Sequence, residues 1–555
     1  MTAFTAYTSS LYRVETEVFH ADIDNNIGKN ISDEIITCLM DGDVERSPGK
    51  KRIELEALNA DVLPPNQWVA PFVTVIPETG PIVRRQKGLY RLGVADTRGQ
   101  ADGSIARSDG DDIVGSFQGA MPEEVITPAR IVLMDEVAVA IERASLKYCG
   151  PNILPNPDFA SNSTAGWTVG GNWTSTSHGM VIADDPSGTA SNVFAGIEYG
   201  QYAYRMRATN AGAPVGNVAT FSTDNSARIA IPANMEELYA ETYLYLNTVD
   251  LSARLEVAFY NAAGTEVGTR LSSSGDVPPY RRAIWPDSWI HMTAFGDVPV
   301  DAVSARVIIS VRRHSTTVPT GDVWAVVDYV ALRGAIGPMY TRHQLPKDWT
   351  LARTRLAHQA QTLWRTRIAD LLNSRGYHDI YSDDEAVIRT ELMADRPNAS
   401  PAATYAAGEN SRIVDWSVIP STGNLYNTVR AVSEDYTNGV TLTATAVNRD
   451  ANHPWSVQRI GERAPSTPLM VMSAVEQADL QALANNYLAQ ASMNQSLEIA
   501  VLPDLDVTLH SIIVVEGDGP EAGRWNVEAY EIDASPEGDG LLHIVARRSI
   551  KDGWG

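Results

Sequence analysis

Cysteine is almost absent: the 555 residues contain two, Cys38 and Cys149. Two thiols make neither a disulfide framework nor a multi-thiolate metal centre, and neither has a base as neighbour, so both are expected to be small buried apolar residues. Long apolar runs are missing as well. Stretches such as 137–141 and 512–515 fall far short of the roughly 20 residues a bilayer span needs, so a soluble chain is expected. The first ten residues lack a basic region followed by an apolar one, and no secretory signal is expected. Positive charge is scarce, with 44 Lys and Arg against 68 Asp and Glu and a net charge of -24. Such a chain repels DNA, RNA and anionic membranes. His-Glu-x-x-His, Gly-x-Ser-x-Gly, P-loop and Gly-x-Gly-x-x-Gly patterns are absent too. Only a carboxylate pair of the glycosidase kind could be assembled in space without leaving a linear trace.

What is present suits packed cores: 44% apolar and 20% charged residues, a length of three or four domains at roughly 150 residues each. Tyr12–Phe19 and Lys51–Leu58 alternate apolar and polar residues, the period of a half-buried strand. Turn clusters at 22–28, 41–43, 64–65 and 109–112 punctuate them. Asp22, Asp24, Asn26 and Asp33 approach calcium-loop spacing, but Ile27 stands where glycine is needed, so a hairpin turn is expected. Residues 128–148 carry apolar positions at helical spacing. The same spacing predicts a helix over 351–373, ending before Gly376. A third helix is expected over 473–490, with Ser473 and Glu476 as a capping box. The acidic run Asp383-Asp384-Glu385 reads as a solvated turn.

Residues 152–335 stand apart. They hold 17 acidic residues, 11 arginines and no lysine, a balance of -6 against -18 for the rest. Strands are expected at 201–207, 241–246, 254–260, 289–295, 305–311 and 323–332, an antiparallel β-sandwich. The fold expected for the whole is mainly β and multidomain. It comprises an N-terminal β-barrel (1–120), a helical connector (121–151), the inserted sandwich (152–335), a helical or mixed α/β middle (336–424) and a C-terminal β-barrel with a helix (425–555).

Residues 368–384, 405–413 and 427–431, then 446–461, the Ala-rich helix, 497–505 and 525–529, follow an order that resembles the baseplate hub or minor tail proteins of siphophages, especially those of actinobacterial hosts. The stretch 81–96, with Gly88-Leu-Tyr-Arg-Leu-Gly-Val94, fits the front barrel of that family. The resemblance covers roughly 10–148 and 340–550. It implies a non-enzymatic virion protein at the distal tail tip: a homotrimeric ring that continues the tail channel and lets phage DNA pass without specific binding. Its implied neighbours are the distal tail protein, the tape measure protein and other tail-tip proteins. The acidic charge would suit such a channel, with acidic residues towards the lumen. The alternative is a virion-associated or secreted glycan hydrolase with a targeting module.

The insert is similar to jelly-roll carbohydrate-binding modules: residues 152–159 followed by Gly166-Trp167 resemble the opening strand, and 321–332 the closing one. This implies binding of a host cell-wall glycan. It also implies a structural calcium held by the closing-strand acid, Asp328. Ala160 occupies the position of the usual second acid, and Asp158 or Glu198 could take its place, with nothing in the sequence to select between them. Sugar binding needs aromatic faces and polar side chains. By alternation Tyr243, Tyr245 and Tyr260 share one sheet face, opposite Leu244, Leu246, Leu255, Val257 and Phe259. With Arg306 they would form a glycan-binding strip, or they are ordinary strand tyrosines whose hydroxyls reach water. Trp173, in a Gly-rich loop, is expected to be exposed and sugar-binding. Trp167, Trp285, Trp289 and Trp324 are expected in the core.

Overall fold

In a computed structural model the described residues are 4–8, 12–44, 50–100, 103–117, 119–127, 130–155, 157, 159, 163–173, 178–182, 202–209, 213, 215–225, 228–232, 235–273, 281–282, 288–314, 322–337, 339–347, 356–392, 399–406, 412–420, 426–435, 440–451, 453, 455–470, 477–491, 493–535 and 538–549. The architecture is mainly β, as the sequence indicates. The chain divides into two compact units: residues 1–117, 342–346 and 372–555 form the first, and 118–341 with 347–371 the second.

The first unit is organised by one large sheet. Its main strand order is Phe4–Thr8, Tyr12–Ala21, Trp68–Pro77, Tyr90–Leu92, Gly103–Asp112, Lys51–Ala57, Ile35–Asp43, Gly523–Asp533, Leu542–Ser549, Met493–Val501 and Ile413–Pro420. Lys51–Ala57 shows why these segments are strands: every second residue is buried, the period of a sheet with one face on a core. The two ends of the chain meet in this sheet. Met40 pairs with Ile532 and Leu39 with Asp533, and Met40, Leu55, Trp525, Ile532 and Ile544 lie in one core. The N- and C-terminal β regions expected as separate barrels therefore share a sheet and a core. The hairpin reading of 22–28 holds: the Asn26 amide donates to Asp22 Oδ1 at 2.8 Å, and Asn25 takes φ 63°.

The second unit holds the sandwich. One sheet runs Gly179–Ile182, Tyr202–Ala208, Val323–Ile336, Glu237–Leu246, Ser288–Asp297. The other runs Trp167–Gly171, Val218–Thr223, Ser304–Arg313, Leu251–Tyr260, Glu266–Ser272. All six expected strands form within two or three residues of their predicted starts, or at most four. Leu244, Leu246, Leu255, Val257 and Phe259 lie between the sheets, as alternation requires.

Helix α1 (Leu133–Ser145) belongs to this unit, with Asp135 and Glu136 in its first turn and Arg143 in its last, the charge order the helix dipole favours. Helix α2 spans Trp364–Asn373, shorter than the 351–373 expected. Leu356–His358 is instead a strand paired with Val125–Thr127, and Gln361, at φ 68°, turns the chain before the helix starts. Helix α3 is the single turn Val457–Ile460 and α4 spans Gln477–Ala491. The expected capping box at Ser473 lies outside the described residues. Among the described residues no helix is long and apolar enough to cross a membrane. Cys38 is buried as expected, whereas Cys149 is half-buried.

Candidate functional site

The strand Glu237–Leu246 is buried on both faces along nearly all its length. A sandwich strand with one face in solvent would alternate; this one does not, because α1 covers the sheet's outer face. Tyr243, with neighbours Tyr329 and His291 across the strands, is 1% exposed. Its hydroxyl donates to Glu136 Oε1 of α1 at 2.9 Å, and its ring stacks on His291 at 4.0 Å. The expected sugar-stacking residue is thus sealed beneath the chain's own helix.

What seals it is a buried ionic cluster. Glu136 also receives His291 Nδ1 at 2.9 Å and Arg367 Nη2 of α2. Glu241 receives Arg333 Nε at 3.3 Å and faces His291 Nε2 at 3.4 Å and Arg143 Nη1 at 3.7 Å. Arg333 reaches out to Glu123 and the Tyr329 hydroxyl, Glu142 accepts from the Thr293 hydroxyl, and the Arg143 guanidinium lies over the Tyr239 ring at 4.5 Å. Glu136 and Arg143 are seven residues apart and so share a helix face. That spacing was visible in the sequence; that a sheet carrying Glu241, His291 and Arg333 would meet it was not.

Burial alone would keep the Glu136 carboxyl neutral, but His291 and Arg367 outweigh it and hold its pKa down at about 2. Glu241 is depressed by Arg143, His291 and Arg333 against the same burial. Burial opposes protonation of His291, and the two glutamates overcome it, raising its pKa. The signs give a pH window. The stabilisation from Glu136 and Glu241 is complete above their unfolded values of roughly 4.3 and is lost as pH falls through the depressed folded values. That from His291 is complete below roughly 6.5 and is lost as pH rises through its raised folded value. The sandwich unit should therefore unfold at its highest temperature on a plateau that starts near the glutamate range and extends past the ordinary histidine range. In His291→Gln the alkaline shoulder should vanish, a change that scanning calorimetry across pH would register.

The far end of the same face carries the aromatic groups. Tyr245 stacks on Trp324 at 5.4 Å and meets Trp289 edge-on at 5.4 Å. Tyr245 and Trp289 are buried, whereas Trp324 is half-buried. Beside it Arg207, its cross-strand partner, pairs with Asp322, and Asn247 receives the Trp324 amide at 2.9 Å. An aromatic plane rimmed by a guanidinium, a carboxylate and an amide is a surface able to stack on a sugar ring and bond its hydroxyls.

Other expected site residues lie elsewhere. Tyr260 and Arg306 sit on the outer face of the second sheet, because Glu237–Leu246 and Leu251–Tyr260 are consecutive strands in different sheets; alternation gives a residue's side, never its sheet. Tyr260 is buried, with the Arg228 guanidinium 3.8 Å above its ring. Arg306 donates to the Thr223 carbonyl and the Ser222 hydroxyl, each at 2.7 Å. Trp173 is a core residue rather than an exposed one: it packs with Phe159 and Trp167 and donates its indole N–H to the Asn217 carbonyl at 3.2 Å. Trp173 and Trp324 thus exchange the places expected of them, while Trp285 lies outside the described residues. Asp328 is the extra residue of a bulge in Val323–Ile336 and is fully buried. Asp158 and Glu198 lie outside the described residues. Among the described residues no three His, Cys, Asp or Glu side chains converge on one point.

The first unit holds a second buried charge group. Asp384 lies between Lys51 Nζ at 2.6 Å and Lys87 Nζ at 2.5 Å, and both lysine side chains are shielded from solvent. The run 383–385 is therefore no simple solvated turn. Lys87 also donates to the Leu505 carbonyl at 3.1 Å. Nearby Asp112 accepts from the Ser382 hydroxyl at 2.8 Å and from the Gly115 amide.

No family model and no curated protein matches the chain. Among solved structures, a tail protein from Neisseria meningitidis MC58 aligns over 97% of this chain and 98% of its own at 8% identity and a TM-score of 0.42. The 43 kDa tail protein of prophage MuSo2 from Shewanella oneidensis aligns over 96% and 98% at 8% identity and a TM-score of 0.40. TmCBM61 in complex with beta-1,4-galactotriose aligns over 33% of this chain and 98% of its own, at 17% identity and a TM-score of 0.21. At such scores the functional argument rests on this chain's own residues.

Proposed function

We propose that the chain is a structural protein of a phage tail tip, a homotrimeric hub around the tail channel, whose inserted sandwich contacts glycans of the host wall. The observation that carries this reading is the closure of the frame: Ile35–Asp43 pairs with Gly523–Asp533, so a unit built from both ends of the chain holds a sandwich unit as an insertion. That is the organisation of a scaffold with a passenger, and it coincides with the sequence resemblance on both parts. The net charge of -24 agrees with a channel past which DNA slides without adhering. Neither ionic cluster is an assembled acid-base site open to substrate. Glu136, Glu241 and His291 are consumed by one another and by arginines, and Asp384 by two lysines.

Imaging of intact tails tests the proposal: the chain should occupy a threefold ring at the distal end. Cell-wall preparations incubated with the purified protein should release no sugar. Steady release abolished by a single Asp or Glu substitution would overturn the structural reading.

The glycan contact is placed at Trp324, with Tyr245 beneath it and Arg207, Asp322 and Asn247 around it. Avidity from several copies would multiply a weak single contact. In pull-down with host-wall glycan, Trp324→Ala should weaken binding of the full chain several-fold, while Arg306→Ala on the other sheet should bind as the parent does. Undiminished binding by Trp324→Ala would remove the sugar contact from this surface.

A further inference from the structure

The Asp384 group of the first unit brings together three parts of the chain that are far apart in sequence. Lys51 opens the strand Lys51–Ala57. Lys87 is fixed through its backbone: its amide donates to the Pro71 carbonyl at 2.9 Å, and its carbonyl accepts from the Tyr90 hydroxyl at 2.7 Å. Asp384 sits in a tight turn, where the Asp383 carboxylate accepts the Glu385 and Val387 amides at 2.9 and 2.8 Å and Ala386 takes φ 62°. Side chains carried on such fixed backbone are held in one mutual geometry, the condition under which two weakly reactive groups combine.

The two carboxylate oxygens of Asp384 are served differently. Oδ1 accepts from Lys51 Nζ at 2.6 Å and Oδ2 from Lys87 Nζ at 2.5 Å, so Lys87 Nζ stands within van der Waals reach of Cγ. Neither lysine side chain is exposed to solvent, and the Tyr530 ring lies 5.8 Å from Lys87 Nζ. An ammonium and a carboxylate enclosed together have given up their hydration, and condensing them into an amide replaces two buried charges with a neutral bond. The two lysines are not equivalent. Burial and the Lys51 charge lower the Lys87 pKa despite Asp384. Burial opposes the Lys51 ammonium too, but there Asp384 outweighs it and the pKa is raised. Lys87 is therefore the amine that gives up its proton, and Lys51 the ammonium that stays.

We propose that Lys87 and Asp384 condense into an intramolecular isopeptide bond, with Lys51 polarising the reacting carboxylate. One proton passes from Lys87 Nζ to Oδ2 along their contact. The neutral amine attacks Cγ, and negative charge gathers on Oδ1, which the Lys51 ammonium faces. The second proton follows from Nζ to Oδ2, the Cγ–Oδ2 bond breaks, and water leaves. One N–C bond forms, one C–O bond breaks, and no further reactant is consumed. The ion-paired cluster is the unlinked reactant: freshly folded chain carries it, and the link accumulates from it with time. The bond closes the frame across its insertion. Positions 87 and 384 are 297 residues apart, and the whole sandwich unit lies in the loop between them, so strands on the two sides of the insertion stay joined when the sandwich is pulled.

Peptide mapping of the full chain by mass spectrometry is the test. After incubation at neutral and mildly alkaline pH, trypsin should fail to cut after Lys87, and a joined peptide pair containing Lys87 and Asp384 should appear, lighter than its two parts by one water. The intact mass should fall by the same amount. Lys87→Arg keeps a cation in place but has no primary amine, so it should show the parental circular dichroism spectrum and stay unlinked. Lys51→Met should link roughly 100-fold more slowly, the usual cost of losing one donor to a developing oxyanion. A parent that keeps its full intact mass and is cut after Lys87 following prolonged incubation overturns the proposal, as does a loss of water that persists in Lys87→Arg.

Discussion

Glu136→Ala should destabilise the sandwich unit by roughly 3–5 kcal/mol, the usual cost of deleting one partner from a buried ion pair. The carboxylate is 1% exposed and receives Tyr243, His291 and Arg367 at once. Its removal takes from a guanidinium, an imidazolium and a phenol the carboxylate that all three share. Glu241 cannot replace it, being engaged by Arg333, Arg143 and the other nitrogen of His291. Glu136→Gln should cost less, because an amide oxygen can still accept from Tyr243 while the charge balance is lost. Denaturant unfolding followed through Trp289 and Trp324, which lie in the same unit, reads the shift in midpoint. Asp301→Ala, at an exposed turn position, should stay within about 0.5 kcal/mol of the parent. A loss for Glu136→Ala no larger than that control would mean the cluster is a solvated surface network. The consequence reaches the unit's organisation: α1 and the start of α2 are fastened to the sandwich through this carboxylate, within the unit of residues 118–341 and 347–371.

The strands and the sandwich core were legible because a strand writes its own sidedness: Leu244, Leu246, Leu255, Val257 and Phe259 alternate and all lie inside. What alternation does not encode is the partner on the far side. Tyr243 and Tyr260 follow the same rule, yet they stand on different sheets, one under α1 and the other under Arg228. Trp173 misled because a Gly-rich loop suggests exposure, while its indole has both a core to enter and the Asn217 carbonyl to satisfy it. The helix expected over 351–373 overran because apolar spacing continues through residues that the tertiary pairing with 125–127 draws into a strand. Asp384 is the extreme case. Nothing within its local run distinguishes it from a solvated acid, since its partners lie 333 and 297 residues away.

Asp384→Ala should be the most damaging single substitution in the frame unit, again by roughly 3–5 kcal/mol and for an additional reason. One carboxylate serves two lysines whose side chains are inaccessible to solvent, so its loss strands two ammonium groups that repel each other. Removing a lysine is a smaller insult: in Lys87→Met, Asp384 keeps Lys51, and the methionine refills most of the volume. The titration directions order the pair. Burial and the charge of Lys51 together lower the Lys87 pKa despite Asp384, whereas for Lys51 the pull of Asp384 overcomes burial and raises it. Lys87 is thus the less firmly held proton, and the substitution that relieves the most strain in an Asp384→Ala background is Lys87→Met. A double-mutant cycle should show Asp384→Ala with Lys87→Met more stable than Asp384→Ala alone, a coupling of opposite sign to simple additivity. The acid limb follows from the same carboxylate: the Lys51 and Lys87 charges depress its pKa against burial, so its stabilisation is present above an unfolded value of roughly 3.9 and is lost as pH falls through the lower folded one. Asp384→Ala should flatten that acid limb of the frame unit while leaving the alkaline shoulder of the sandwich, which belongs to His291, in place. If both limbs survive in Asp384→Ala, the two lysines are held by something other than this carboxylate.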